Sequence, residues 1–327
     1  MEKKYDVIGI GSALLDFIAE VDEGTLAEMN LKKGQMHLVD EKKSKEILKK
    51  LENHKIKIAP GGSSANVLAG VSMLGGTAVL FGKIGNDMHG DVYKQKTVED
   101  GVIVKLSRHQ TAATGHAITF ITSDSERTFA THLGASLYFR KEDISEEDIK
   151  VSKILHVEGY QFEDLGLKAA SLHAMDIAKA NRVKISIDLS DPGLIERNLK
   201  SLKEIVKEYA DIVFVNENEA EAFTGKKGEQ ALHEIYSMCK IAVVKLGEKG
   251  SLIKANNAIY RVPAYKTNVV NTNGAGDAYA AGILYSIANG LPIEKAGKIA
   301  SYVAAKVVAS PGARLDRSVK EDIKNIK

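Results

Sequence analysis

The segment VKISIDLSDPGLIERNLKSLKEIVKEYADIVFV (residues 183–215) contains one complete strand–helix–strand unit. Residues 183–189 form a short β-branched run. Residues 194–209 carry apolar positions at helical spacing, and residues 211–215 are again a short apolar run. The same alternation spreads in both directions. Strands are expected at 5–10, 77–84, 153–157 and 241–246, and helices at 63–74, 89–100 and 165–181. Short strands alternating with amphipathic helices predict βαβ units and a mostly parallel sheet. Such a sheet is covered on both faces, which accounts for strands that are apolar without interruption. Residues 275–310 read as two helices split at Gly290-Leu291-Pro292 and stopped by Pro311-Gly312.

Two regions interrupt the rhythm. Residues 16–39 and 102–131 are β-rich and lack crossover helices. In the second, GHAITFITSDSERTFATH reads as two strands joined by the polar turn SDSE. Antiparallel strands apart from a parallel core predict a small β lid over one end of the sheet, closing over substrate and excluding water. No repeat or linker divides the chain, so residues 1–327 are expected to form one domain. The exposed lid strands offer an edge through which two copies can pair.

Composition narrows the function classes. The chain has 327 residues, 44% hydrophobic and 27% charged, with a formal net charge of +2. No global field favours a polyanion, and no basic stripe with interleaved aromatics suggests nucleic acid. The single cysteine, Cys239, excludes an internal disulfide and fits a small buried hydrophobe. The N-terminus has no long apolar segment, and the run 278–288 is too short to span a bilayer. These features predict a cytoplasmic protein without a membrane partner.

Several loops can carry chemistry. Gly9-Ile10-Gly11 follows a strand, but Leu14 stands where a dinucleotide fingerprint needs its third glycine. Asp16 lies in an apolar stretch beyond a strand end, where a carboxylate either accepts from partners such as ligand hydroxyls or sits solvated in a turn. Pro60-Gly61-Gly62-Ser63-Ser64-Ala65-Asn66 opens a helix with a serine available as N-cap, and Asn66 both donates and accepts. Asn216 and Glu219 lie three apart after a strand, so they share one side of a helical turn. They suit Mg²⁺ held through its waters, or equally a charged helix start. Lys245, Gly247 and Gly250 follow another strand, where a nucleotide can lie along the backbone or a hairpin can turn. In NTNGAGD, the small residues Gly274, Ala275 and Gly276 leave helix N-terminal N–H groups open to an anion. Asp277 in that first turn can accept the proton of an attacking hydroxyl. Such N–H groups beside a carboxylate are what phosphoryl transfer to an alcohol requires.

GGSSANVLAGVSMLGG and NTNGAGDAYAAGILY, in this order and separation, resemble the two signatures of the ribokinase-like (PfkB) family of carbohydrate and nucleoside kinases. The resemblance runs from GSALLD to PGAR. It implies a central, mainly parallel sheet flanked by helices with a small β lid. It also implies ATP-dependent transfer of the γ-phosphate to a primary hydroxyl of a nucleoside or sugar. Asp277 would be the catalytic base and the Gly274–Asp277 N–H groups the anion hole. Asp16, Gly61, Gly62 and Asn66 would bind substrate hydroxyls. Asn216 and Glu219 match the family's N-x-x-E motif, acting on Mg²⁺ and phosphate, and Lys245, Gly247 and Gly250 fall in the nucleotide region. LLDFIAEVD, KKGQMHLVD, RTFATHLGAS, HVEGYQF and GAR look most like the adenosine-kinase branch. That likeness puts Arg127, Phe129 and Tyr160 near the substrate, the aromatics either stacking on a purine or packing lid and core. Two residues depart from the pattern. Asn271 stands where related kinases use an aspartate to bind an activating monovalent cation such as K⁺. Ser12 stands where adenosine kinases commonly have asparagine. A sugar kinase for ribose, fructose or 2-keto-3-deoxygluconate, and a non-catalytic nucleoside- or sugar-binding regulator, are the competing expectations.

Overall fold

The computed structural model describes residues 2–124 and 126–326. The chain runs β1 (Tyr5–Ile10), β2 (Leu14–Glu20), α1 (Glu23–Glu28), β3 (Met36–Leu38), α2 (Glu41–Lys50), β4 (Ile56–Pro60), α3 (Ser63–Met73), β5 (Ala78–Gly85) and α4 (Met88–Glu99). It continues through β6 (Ile103–His109), β7 (Gly115–Ile121), β8 (Arg127–His132), α5 (Glu146–Lys150), β9 (Ser152–Glu158), α6 (Leu165–Ala180), β10 (Lys184–Asp188) and α7 (Pro192–Tyr209). The last third holds β11 (Ile212–Asn216), α8 (Glu217–Thr224), α9 (Gly228–Tyr236), β12 (Ile241–Lys245), β13 (Ser251–Ala255), β14 (Ala258–Val262), α10 (Ala275–Ala288) and α11 (Ile293–Val308).

Among the described residues, nine strands form the main sheet in the order β14-β13-β12-β11-β10-β9-β1-β5-β6. From β12 to β6 every pairing is parallel, and β13 and β14 add an antiparallel hairpin at one edge. Successive strand residues face opposite layers. Val7, Leu80, Ile154 and Phe214 join α3, α10 and α11 on one face. Ile8, Val79, Leu155 and Val213 join α6, α7, α8 and α9 on the other. Caps set the crossover helices: Asp191 accepts from the Leu194 N–H at 2.7 Å with Pro192 in the first turn of α7, and Asp87 caps α4 through Gly90 at 2.8 Å.

A second sheet has the order β3-β8-β7-β2-β4. It differs from the sequence expectation in three respects. It is mixed, since β2–β7 and β3–β8 are parallel whereas β2–β4 and β7–β8 are antiparallel. It recruits β4 from residues outside 16–39 and 102–131, with α2 between β3 and β4. The first part of 102–131 leaves it altogether: β6 pairs parallel with β5 at the edge of the main sheet. The polar turn between β7 and β8 includes Ser125, which lies outside the described residues. One face of the small sheet buries Phe17, Ile118, Phe120 and Ala130. The alternation of side chains puts Asp16, Arg127 and Phe129 together on the opposite face. No helix among the described residues is long and apolar enough to cross a membrane.

Candidate active site

Helix α10 begins with Gly274 as its N-cap in the left-handed conformation (φ 75°), and a side chain there would collide with the Ala313 carbonyl oxygen. No side chain caps its first N–H groups, and Ala275 N donates to the Thr272 carbonyl at 3.3 Å. Asp277 in the first turn is held from α3. Ser63 Oγ donates to Oδ1 at 2.7 Å, and Asn66 Nδ2 donates to Oδ2 at 2.9 Å. Burial raises the Asp277 pKa to about 7, and Asp188 adds to the rise; the two hydrogen bonds and Lys245 oppose it. The carboxyl therefore exchanges its proton in the neutral range.

The serine expected to cap α3 does other work. Gly62 is the N-cap (φ 88°) and makes no side-chain cap bond, while Ser63 turns to Asp277. The buried Glu158, at the end of β9, caps the helix from outside by accepting from Ser64 N at 2.8 Å. It also accepts from Ser12 N at 2.8 Å, tying the β1 exit loop to α3. Ser12 is buried, and its hydroxyl accepts from Gln161 Nε2 at 3.1 Å.

Polar residues end four neighbouring strands at the same edge: Glu158 on β9, Asp188 on β10, Asn216 on β11 and Lys245 on β12. Lys245 Nζ pairs with Asp188 Oδ2 at 2.8 Å and lies about where a side chain on Gly276 would reach. Burial alone would discharge this ammonium, but Asp188 and Glu219 outweigh it and hold it charged. Asn216 and Glu219 form a capping box for α8. Glu219 Oε2 accepts from Asn216 N at 2.7 Å, and Asn216 Oδ1 accepts from Glu219 N at 2.9 Å. Burial raises the Glu219 pKa, with Asp188 adding to it and Lys245 opposing it. Gly247 (φ 58°) and Gly250 (φ 91°) form the tight turn of the β12–β13 hairpin, with open space over Gly247.

Across from this edge, Gly61 follows β4 and lies against the Asp16 carboxylate, leaving no room for a side chain. Burial raises the Asp16 pKa to about 6, against the opposing charges of Arg314 and Arg127. Arg127 Nη1 is buried and has no hydrogen-bond partner among the described residues, and Thr119 Oγ1 on the same face shares that condition. Phe129 beside them is half-buried. Burial raises the phenol pKa of Tyr160, at the turn after β9, and the charges of Asp191, Glu158, Glu219 and Asp277 add to the rise. It packs, partly buried, on the main-sheet core that carries α6 to α9, apart from the small sheet.

Asn271 precedes the glycine loop and is 6% exposed. Its Oδ1 accepts from Asn273 N at 2.7 Å, and its Nδ2 donates to the Pro311 carbonyl at 2.8 Å. Reversing the amide would set like against like at both ends, so the orientation is fixed. A monovalent cation requires oxygen ligands, and here a hydrogen-bearing nitrogen stands against the Pro311 carbonyl. The residues do not suit a cation at this position.

These features bring together a buried carboxyl with a raised pKa, a helix N-terminus without a side-chain cap and a charged strand edge. The model of the pfkB family of carbohydrate kinases matches residues 28–320. The chain belongs to this family. The kinase is 31% identical over 287 residues to the 5-dehydro-2-deoxygluconokinase of Bacillus subtilis (strain 168), covering 81% of this chain and 86% of the relative. Among solved structures it is similar to a probable sugar kinase of Rhizobium etli CFN 42, with a TM-score of 0.93, 31% identity and 98% of each chain covered. It is similar as well to the adenosine kinase of Sinorhizobium meliloti, with a TM-score of 0.92, 32% identity and 99% and 100% of the two chains covered. The kinase is thus a phosphotransferase of the ribokinase-like fold.

Of the residues singled out in the sequence, the structure joins Asn66 to Asp277, Gly61 to Asp16, and Lys245 to the mouth of α10. Ser63, Asp100, Glu158, Asp188 and Arg314 complete these contacts; the sequence offered Ser63 only as a cap and gave the other four no site role. Glu158 and Asp188 carried a usable signal, since each is a carboxylate closing an apolar parallel strand. The donor set also suits a divalent cation. Asp188 and Glu219 are buried carboxylates sharing one ammonium, an excess of negative charge that a cation bound through water would offset. Cys239 is bland: burial pushes its thiol up to about 12, far from thiolate chemistry.

Proposed function

We propose that the kinase transfers the γ-phosphate of ATP to a primary hydroxyl of a ribosyl nucleoside of the adenosine class. The observation that carries this reading is Asp277, fixed by Ser63 and Asn66 in the first turn of a helix that no side chain caps. The substrate hydroxyl oxygen attacks the γ-phosphorus, the bond from that phosphorus to the ADP oxygen breaks, and the hydroxyl proton passes to Asp277. The N–H groups of Gly274 to Asp277 stabilise charge on the phosphoryl oxygens. Lys245 adds a fixed positive charge beside them. Mg²⁺, when bound, neutralises the nucleotide phosphates, and Asp188 and Glu219 are the residues that would hold it through water. Asp16 receives substrate hydroxyls, and the half-buried Phe129 offers a ring face to a base. The likeness to the Sinorhizobium meliloti adenosine kinase over nearly the whole chain supports a nucleoside. Asn271 supplies its own donor to the Pro311 carbonyl, so activity is expected without K⁺.

A specific observation favours a second substrate class. The unpartnered Arg127 Nη1 suits a carboxylate, and the relatives named 5-dehydro-2-deoxygluconokinase point to a sugar acid. ADP release measured with adenosine, ribose, fructose, 2-keto-3-deoxygluconate and 5-dehydro-2-deoxygluconate separates the readings. The highest kcat/KM with adenosine supports the nucleoside. The highest with either acid transfers the assignment to sugar acids. Tight adenosine binding without ADP release from any compound would mark a non-catalytic regulator.

A further inference from the structure

We propose that Arg314, in the loop after α11, is a positioning residue that fixes the amide of Asn66 and through it the base Asp277. The inference rests on the reading of Asp277 as the base.

Arg314 is nearly enclosed, with 8% of its side chain exposed. Each arm of its guanidinium has an acceptor. Nη1 donates to Asp100 Oδ2 at 2.6 Å, Nη2 to the Gly61 carbonyl at 3.1 Å, and Nε to Asn66 Oδ1 at 2.8 Å. The last contact has a directional consequence. A guanidinium only donates, so it selects the oxygen end of the Asn66 amide. The N–H₂ end must then point the other way, where it donates to Asp277 Oδ2 at 2.9 Å. Without Arg314 nothing else among the described residues bonds Asn66 Oδ1, and the Asp277 contact alone is left to orient the amide.

The same guanidinium serves the substrate side. Its Gly61 contact fixes the loop that lies against Asp16, and Tyr93 Oη donates to the same carbonyl at 3.4 Å. Its own loop is bonded to the anion-binding loop at one point and approaches it closely at another. Asn271 Nδ2 donates to Pro311 O at 2.8 Å, and Ala313 O closes on Gly274. One side chain therefore sets the relative places of substrate loop, base and helix N-terminus. Three acceptors in three directions require the planar fork of arginine; a lysine serves one direction at a time.

The test compares Arg314→Lys and Arg314→Met with Asp277→Asn, using whichever acceptor the substrate screen selects. The Arg314 variants should lose about 10²-fold in kcat, as expected for a base held out of line, with KM for ATP little changed. The acidic limb of the kcat profile should move to higher pH, because the Asn66 hydrogen bond is among the contacts that lower the Asp277 pKa. The other charged groups facing Asp277, Asp188 and Lys245, and the nearby Tyr160, are untouched by either substitution. Arg314→Lys retains charge and bulk, so it keeps the test valid should Arg314→Met fail to fold. An Arg314→Lys enzyme with wild-type kcat and an unmoved acidic limb overturns the inference, as does a variant that loses only thermal stability. Near wild-type turnover by Asp277→Asn overturns the base reading instead.

Discussion

Asn271→Asp exchanges one N–H₂ group for an oxygen with almost no change of shape, so its effect is electrostatic. In the native chain Oδ1 accepts from Asn273 N at 2.7 Å and Nδ2 donates to Pro311 O at 2.8 Å, in a residue 6% exposed. After substitution Oδ1 keeps its donor. The second oxygen then faces the Pro311 carbonyl oxygen with no proton between them. A buried acceptor left unpaired costs about 1–3 kcal/mol, and more when charged. At about 3 kcal/mol, and about 2 °C per kcal/mol for a chain this long, Tm falls by roughly 6 °C. Protonation restores a donor toward Pro311 O, so the folded-state pKa of the new carboxyl lies above its unfolded value. The penalty is accordingly absent at low pH and grows as pH rises through that folded pKa. A cation bridging the new carboxylate and the carbonyl removes it by another route; at about 100-fold over its dissociation constant it restores about 2.7 kcal/mol. Thermal unfolding followed by circular dichroism, in mildly alkaline potassium or tetramethylammonium chloride at equal ionic strength, reads both effects. Wild-type Tm should be the same in the two salts, while Asn271→Asp should be destabilised in tetramethylammonium and recover in potassium. Equal Tm for both proteins in both salts would refute the reasoning.

Further outcomes follow from the same geometry. Asp277→Asn should reduce kcat by about 10²- to 10⁴-fold while calorimetric ATP binding is retained. In the native enzyme kcat/KM should rise with pH through an acidic limb near 7, because burial holds the Asp277 pKa there and the base must be ionised. Asn216→Ala should destabilise the fold by about 1 kcal/mol through loss of the α8 cap, and raise the Mg²⁺ concentration needed for half-maximal rate. Denaturant midpoints and a Mg²⁺ titration check the two halves. Gly70→Val should lower kcat together with stability, since a Cβ at 70 would lie 2.6 Å from Ala281 Cβ and push α3 off α10.

The main sheet was legible because its strands are uniformly apolar and its helices long, so period and length agree over the unit at 183–215. The small sheet was not, for a physical reason. Its strand β4, IKIAP, is a half-exposed edge strand ending in proline, and β3 has only three residues. Neither carries enough periodic signal to separate it from loop. Strand β6, IVKLSRH, alternates only over residues 104–107 and ends in three polar residues, so pattern alone could not assign it to either sheet. Within the site, Asp277 and Asn66 stood out because each interrupts an apolar helix. Arg314 had no such contrast, lying in a polar terminal loop where a solvated arginine is ordinary. Only its burial and its three acceptors distinguish it.

The small residues of AGDAYAAGILY have a bearing on the chemistry as well as on packing. Gly70 of α3 lies against Ala281 of α10, and Gly282 of α10 lies against Ala300 of α11. With no bulk at these crossings, the three helix backbones come close together. Ser63 and Asn66 reach Asp277 at 2.7 and 2.9 Å from the first turns of α3, so the spacing of the two helices is the length scale of the site. A larger residue at either crossing would lengthen both hydrogen bonds at once. The apolar run after Asp277 is therefore part of how the carboxylate is aimed: the loop before it is built of small residues, and the helix behind it sets where the carboxylate stands.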